Sequence, residues 1–179
     1  MTRNPGTPLM AVAASVFLIS VALTAQDKPV DKSVKVPDGL AVSDFKGYET
    51  WETIAPSHTD QGTKVILGNP IMMKAYSDGF PANGKAVPDG AMMAKIEWTP
   101  KKDTDSPYDV TVPGPLKSLA FMLKDSKRFA ATGGWAWAKF DYDATSNTLK
   151  PEGTGTACGY ACHLVVKQRD LVFTHYAKR

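Results

Sequence analysis

Residues 134–142 read Gly-Trp-Ala-Trp-Ala-Lys-Phe-Asp-Tyr, and this stretch is the clearest β-strand signal in the chain. Its aromatic residues alternate with smaller ones, a pattern typical of a strand that packs one face against a core. Shorter runs of the same kind predict further strands at 64–67, 91–99, 116–123 and 171–176. Because only a few helical segments separate them, we predict an α+β fold: mainly an antiparallel β-sheet with a few short helices, in a single domain.

Two helices are predicted from apolar spacing and capping residues. Phe45, Tyr48, Trp51 and Ile54 recur every three residues, which predicts one amphipathic helix over 42–54 that ends before Pro56. A second, shorter helix is predicted over 69–76, where an Asn followed by a Pro is a favourable start. The stretches 77–90, 101–115 and 143–155 are rich in Gly, Pro and polar residues and are predicted to be loops.

Towards the C-terminus, residues 158–163 read Cys-Gly-Tyr-Ala-Cys-His. Two cysteines followed by a histidine are what covalent haem attachment requires, because each thiol bonds one vinyl group and the histidine binds the iron. The usual motif has two residues between the cysteines, and this chain has three. We expect a small bulge at Gly159 to absorb the extra residue.

We therefore predict haem c, with its iron, attached covalently through Cys158 and Cys162, and we predict His163 as the metal ligand. The residues alone leave two alternatives open. One is a disulfide bond between the cysteines with an ordinary surface histidine, and the other is a metal site or free thiols. Structural zinc is disfavoured because three ligands fall short of the four that a closed site usually has.

The N-terminal residues 1–25 have the features of a secretory signal peptide. Arg3 precedes an apolar run at 10–23, and small residues lead to a polar shift after Ala25, where we place the cleavage. The apolar run is short for a membrane span, so an uncleaved anchor is the alternative and no membrane span is expected after cleavage. We predict export to the periplasm, the setting in which bacteria attach c-type haem.

The remaining sequence divides into a loose polar leader at 26–41 and a single haem-binding domain at 42–179. The formal net charge is +3, and no block of five or more like charges occurs. This near balance argues against nucleic acid as a partner.

Three stretches together resemble a known family. One is Pro-Asp-Gly at 88–90 with the lysine-containing strand that follows it. The second is Lys-Asp-Ser-Lys-Arg-Phe-Ala at 124–130 followed by Gly-Trp-Ala at 134–136. The third is the Cys-His motif followed by Asp-Leu-Val-Phe-Thr at 170–174. Their order and spacing are similar to those of the cytochrome P-460 family, which includes hydroxylamine-oxidising mono-haem cytochromes and the cytochromes c′-beta.

The resemblance implies a mainly antiparallel β fold, a homodimer, and a special role for one lysine. In the hydroxylamine-oxidising members a strand lysine is joined covalently to the haem, and Lys95 falls at that position. By strand alternation Lys95 shares a face with Met93 and Glu97. From the residues alone, a solvent-facing lysine is the alternative.

Two positions depart from the pattern of the oxidising members. Their distal carboxylate corresponds here to Ala120, with Phe121 beside it, and their distal arginine corresponds to Lys64. A carboxylate can accept the protons that hydroxylamine oxidation releases, and alanine cannot. An apolar pocket suits a small neutral molecule such as NO.

Three functions follow as hypotheses. In the first, a five-coordinate haem oxidises a small nitrogen compound, hydroxylamine or NO, with Lys95 as a catalytic residue and a soluble cytochrome as the electron acceptor. In the second, the same haem binds NO, with Phe121 crowding the ligand. In the third, the protein is a plain electron carrier, and His58, His175 or a methionine supplies a second axial ligand.

Overall fold

The computed structural model describes residues 1–2, 29–37, 40–153 and 155–177. The signal peptide expected at 1–25 lies outside these ranges apart from its first two residues, and it stays a prediction. None of the helices in the described ranges combines the length and the apolar character that crossing a membrane requires.

The described residues form six β-strands, two α-helices and four short 3-10 helices. The strands are β1 (Glu52–Thr59), β2 (Gly62–Gly68), β3 (Met92–Lys102), β4 (Thr111–Lys124), β5 (Trp135–Asp143) and β6 (Thr148–Pro151). The α-helices are α1 (Pro70–Ser77) and α2 (Gly155–His163). The 3-10 helices span Val42–Phe45, Tyr48–Thr50, Ala130–Thr132 and Leu164–Arg169.

All six strands belong to one antiparallel sheet in the order β1-β2-β3-β4-β5-β6, so every strand pairs with its neighbour in sequence. Sequential antiparallel pairing needs only short connections, which suits a chain with few helices. The predicted α+β class with a mainly antiparallel sheet is confirmed.

Alternation along the strands gives the sheet two packed faces. On the front face, Met93, Met122 and Trp137 belong to one apolar cluster, together with residues of α1 and the C-terminal segment. On the back face, Ala94, Phe121 and their neighbours form a second cluster. Because both faces of the central strands are covered, their sequences are apolar at most positions.

The back face is covered by the N-terminal segment. Val36, Leu40, Phe45 and Tyr48 are buried there, and the ring of Phe45 stacks on Phe121 with 4.3 Å between ring centroids. Within the predicted loose leader, Val36, Leu40 and Ala41 are buried, whereas most of its other described residues are exposed. Its apolar residues explain this, because they bury surface that the sheet would otherwise expose.

The single helix predicted over 42–54 is wrong. Two short 3-10 helices, Val42–Phe45 and Tyr48–Thr50, are separated by Lys46, which leaves the helical conformation and caps the first, and by Gly47, which has a φ of 82° and caps the second. Ile54 already lies in strand β1, and so does Pro56. Pro56 is tolerated there because β1 is an edge strand. Its outer side has no partner strand, so a missing N–H donor removes no interstrand hydrogen bond on that side.

Other strand boundaries also differ from the predictions. Strand β3 continues through Pro100 by means of register shifts between Glu97 and Pro100, and β4 already begins at Thr111. Strand β6 falls inside a predicted loop. The strand expected at 171–176 does not form, because Asp170 and Leu171 have φ values of 46° and 63°, in the left-handed region, which turns the chain away from the sheet.

Helix α1 confirms the capping prediction. Asn69 is its N-cap, its side chain accepts a hydrogen bond from the Met72 amide at 3.0 Å, and Pro70 is the first helical residue. The same side chain accepts from the Met92 amide at 3.1 Å and donates to the Gly90 carbonyl at 2.8 Å. One buried amide therefore ties the start of α1 to the start of β3.

Replacing this amide should cost more stability than an N-cap alone. We expect Asn69→Ala to lower the free energy of unfolding by about 2–4 kcal/mol, because it removes a cap and leaves the Gly90 carbonyl and the Met92 amide without partners. Urea unfolding followed by circular dichroism measures the change. The control Ser77→Ala, at an exposed position of the same helix, should stay within about 0.5 kcal/mol of the wild type. If Asn69→Ala and Ser77→Ala changed the free energy of unfolding equally, this would contradict the role of Asn69 in linking α1 to β3.

Candidate functional site

A cavity of about 680 Å³ lies between the front face of the sheet, helix α2 and residues 172–175. Its volume falls within the range of small-molecule and cofactor sites. Much of its wall is apolar, and this part includes Ile66, Met93, Ala120, Met122, Trp137 and Phe173. The charged residues on its wall are Lys64, Lys95, Lys139, Glu152 and, when protonated, the histidines His163 and His175.

The two cysteines lie on helix α2, and both border the cavity. Cys158 and Cys162 are free and exposed, and a separation of four residues places them one turn apart on the same side of the helix. No bulge is present at Gly159, so that prediction is wrong. The third intervening residue is accommodated by regular helix, which brings positions i and i+4 together.

Gly159 has a different role, which is packing. A Cβ atom at this position would lie 2.3 Å from Trp137 Cγ, so only glycine allows α2 to approach β5 this closely. One turn earlier, the Trp137 amide donates a hydrogen bond to Thr156 Oγ1 at 3.2 Å. These two contacts hold the helix that carries the cysteines against the front face of the sheet.

His163 is the last residue of α2 and lies at the wall of the cavity. Its Nδ1 is 2.6 Å from the Leu171 carbonyl, which can only accept, so Nδ1 carries the proton and donates. Nε2 is then the nitrogen with a free lone pair. The ring packs between Trp137 and Phe173, with centroid distances of 5.2 Å and 4.6 Å.

Burial lowers the pKa of His163 and outweighs the opposite effect of the Leu171 carbonyl, and the positive charge of Lys95 lowers it further. The imidazole is therefore neutral at neutral pH, which is the form that binds a metal. A hydrogen bond from the second ring nitrogen to a backbone carbonyl is the usual support of a metal-ligating histidine.

The sheet register places Lys95 in the middle of the front face. Lys95 pairs with Ile66 on β2 and with Ala120 on β4, and Ala120 pairs with Lys139 on β5. These four residues form a row across the sheet, and all of them border the cavity. The predicted strand face of Lys95, shared with Met93 and Glu97, agrees with this register.

Lys95 is half-buried, and burial lowers the pKa of its ammonium group. Glu97 acts against this shift, whereas the positive charges of Lys64 and Lys139 add to it. The amine thus loses its proton more readily than a lysine in water. A neutral amine in a cavity is a nucleophile, which an exposed lysine at neutral pH is not.

The flanking lysines are held by carboxylates. Lys64 lies 4.0 Å from Glu97, which also pairs with Lys117 at 3.0 Å, and Lys139 pairs with Glu152. Glu152 is the carboxylate that borders the cavity within the described ranges. Sequence analysis missed Glu152 because it lies in a polar stretch with no distinguishing pattern.

Phe121 borders the cavity but does not point its ring into it. Its ring packs with Phe45, Tyr48 and Phe140 in the cluster on the back face. The expected crowding of a ligand by Phe121 is therefore not supported. Strand alternation explains this, because Ala120 is the residue of this pair that faces forward.

The side chains considered as second axial ligands are not arranged for that role. His58 is exposed on β1, beside Thr63 and away from the cavity. His175 borders the cavity, but its Nε2 lies 2.6 Å from Arg169 Nη1, which only donates. Met93 borders the cavity as part of the packed front-face cluster.

The residues present fit a haem attached through its two vinyl groups. Two thiols, one neutral imidazole with Nε2 available, and a largely apolar wall meet at one cavity. Trp137 borders the same cavity and contributes to its apolar wall. No cluster of three or more His, Cys, Asp or Glu side chains suited to a metal ion occurs in the described part of the chain.

A family model described as Cytochrome P460 matches residues 45–174, which include most of the described domain. A search of the curated proteins finds no match. The matched range contains both cysteines, His163, Lys95 and Ala120.

The close approach of α2 to β5 predicts an unusual response to a helix-favouring substitution. Gly→Ala in a helix is normally stabilising by up to about 1 kcal/mol. We expect Gly159→Ala instead to lower the free energy of unfolding by about 1–3 kcal/mol, because the new methyl group overlaps Trp137. Ala161→Gly, at an exposed position of the same helix, is the matched control and should cost no more than about 1 kcal/mol. A stabilised Gly159→Ala variant in urea unfolding would contradict this packing.

Proposed function

Because the chain belongs to the cytochrome P460 family, and is therefore a haem cytochrome, we propose that it is an exported c-type cytochrome acting on a small nitrogen compound. Cys158 and Cys162 would hold the haem through two thioether bonds, and His163 Nε2 would bind the iron. The observation that carries the proposal is that one cavity brings together both thiols, the neutral His163 imidazole and the half-buried Lys95.

The opposite axial position of the iron is proposed to be open. The sequence has three histidines, of which His58 lies away from the cavity and His175 contacts Arg169. An open position lets a small molecule reach the metal, and distal polarity and access then decide what happens to it. A haem held by Cys158, Cys162 and His163 would supply redox chemistry for a small nitrogen compound such as hydroxylamine or NO.

Lys95 is proposed to contact the edge of the macrocycle, as the resemblance implies. Its place in the middle of the front-face row and its lowered pKa support this role, because a lower pKa increases the fraction of the neutral, nucleophilic amine. The neighbours of Lys95 in this row, Ile66 and Ala120, are apolar, so their side chains offer its amine no hydrogen bond.

The residues that border the cavity are poorly suited to accept protons from a substrate. Oxidation of hydroxylamine releases protons as well as electrons, and Ala120 cannot accept them. Glu152 is the carboxylate that borders the cavity within the described ranges, and it is engaged in an ion pair with Lys139. This observation favours a second candidate function, the reversible binding of NO.

A soluble cytochrome is proposed to accept the electrons in the oxidising function. The surface next to α2 carries exposed apolar side chains, among them Val165, which is 72% exposed, and Phe173. Apolar groups of this kind suit contact with a protein partner, which includes a second copy of the chain. Periplasmic export would bring the chain to both the haem-attachment machinery and such a partner.

The visible spectrum and the activity of matched variants test the proposal. In the purified protein we expect intact mass to show one covalently bound haem, and the ferrous Soret band to lie well to the red of an ordinary c-type cytochrome if Lys95 is joined to the ring. Lys95→Ala should retain the haem, return the band to the ordinary position and lose hydroxylamine turnover by at least about tenfold. Lys101→Ala, at an exposed position of the same strand, should match the wild type.

Each outcome separates the candidates. An ordinary high-spin spectrum, rapid uptake of NO by the ferrous protein and no hydroxylamine turnover would favour NO binding over oxidation. A low-spin ferrous haem that refuses added NO would contradict the open position. A chain without covalent haem would contradict the proposed attachment through Cys158 and Cys162.

A further inference from the structure

The hydrogen bond that supports His163 depends on an unusual turn. The acceptor is the carbonyl of Leu171, and both Asp170 and Leu171 have positive φ values, 46° and 63°. A leucine rarely adopts this region, because its Cβ collides with the backbone. Such a conformation persists only where the surrounding structure imposes it, and it is then often part of a functional site.

The turn is imposed by a buried ion pair. Lys124 Nζ lies 2.8 Å and 2.9 Å from the two carboxylate oxygens of Asp170, and it donates a third hydrogen bond to the Gly133 carbonyl at 3.0 Å. Asp170 Oδ2 also accepts from the Val87 amide at 2.8 Å. All three donors of the ammonium group are used, so Asp170 is held from strand β4 and from the loop before β3.

The burial of this pair is unusual for a pair that serves stability alone. Lys124 is 5% exposed, and its ammonium group lies 5.1 Å from the centre of the Trp135 ring. Removing two charges from water is costly, and apolar residues of similar size often stabilise a fold at least as well. In each of the other lysine–carboxylate pairs found among the described residues, the lysine side chain is more exposed to solvent than that of Lys124.

We propose that Lys124 and Asp170 are positioning residues for the iron ligand: they hold the Leu171 carbonyl against His163 Nδ1 and thereby set how strongly the imidazole donates to the metal. This rests on the proposed function, in which His163 binds the haem iron. A hydrogen bond from Nδ1 to a fixed acceptor raises the basicity of the ligand, and second-shell contacts of this kind tune metal sites. A stronger donor stabilises the ferric state and lowers the reduction potential.

The test uses the haem-containing protein and two variants of the pair. Lys124→Met removes the cation, and Asp170→Asn removes the negative charge but keeps the shape and a residue that tolerates the left-handed turn. In both we expect a higher midpoint potential and a lower iron–histidine stretching frequency in the ferrous protein. If Lys124→Met fails to fold, Asp170→Asn alone decides.

The matched control is Lys150→Met, which breaks the exposed pair between Lys150 and Asp143 on β5 and β6. It should leave the potential and the stretching frequency of the wild type unchanged. Loss of urea stability in the Lys124 or Asp170 variants with an unchanged potential and frequency would overturn the proposal, because the pair would then be structural only.

The failure of the proposed function gives a different result. If the wild-type protein carries no haem, or if its five-coordinate ferrous haem shows no iron–histidine vibration, then His163 is not the ligand and both proposals fall. A normal vibration in the wild type that stays the same in both variants refutes only the positioning by Lys124 and Asp170.

Discussion

The contact between Gly159 and Trp137 is the constraint on which the rest of the site depends. Helix α2 carries both cysteines and His163, and it can lie on strand β5 only because position 159 has no Cβ. The depth of the cavity follows from that distance, since its opposite wall is the sheet itself. Because close packing of this kind leaves no space for a shift, helix α2 has a single position relative to β5. The cysteines are then presented from a rigid element and not from a loop.

The register of the antiparallel sheet arranges what α2 faces. Gly68, Met93, Met122 and Trp137 form one row across β2 to β5, and the next row contains Ile66, Lys95, Ala120 and Lys139. Residues two positions apart on a strand are separated by roughly 7 Å, so the front face changes from apolar to charged within the length of a small ligand. An amphipathic planar group with an apolar edge and an acidic edge suits such a face. Lys95 belongs to the second row, beside the apolar first row, and burial there lowers the pKa of its ammonium group.

The strands of the core were predictable because the alternation of residue types along the sequence matches the alternation of side chains between the two packed faces of the sheet. Residues 134–142 show this best, since Trp135 and Trp137 face the front cluster while Ala136 and Ala138 face the back one. The failed helix over 42–54 has a physical reason: a spacing of three is the period of a 3-10 helix, and the structure has two short ones. Strand β6 is short and lies at the sheet edge, so it has too little apolar pattern to detect. At 171–176 the alternation reflects packing beside the cavity and not pairing in a sheet.

The grouping of residues at the candidate site was predictable only where they are close in sequence. Cys158, Cys162 and His163 lie within six residues, and strand alternation alone places Lys95 on one face. Phe121 shows the limit of this reasoning, because a shift of one residue moves a side chain to the opposite face of a sheet. The pair of Lys124 and Asp170 shows another limit. The two residues are 46 positions apart, and no sequence pattern around either of them predicts their contact. Their meeting depends on the path of the whole chain from β4 through α2. The acceptor for His163 is thus set by the fold, and a motif of six residues is not sufficient to build the proposed iron site.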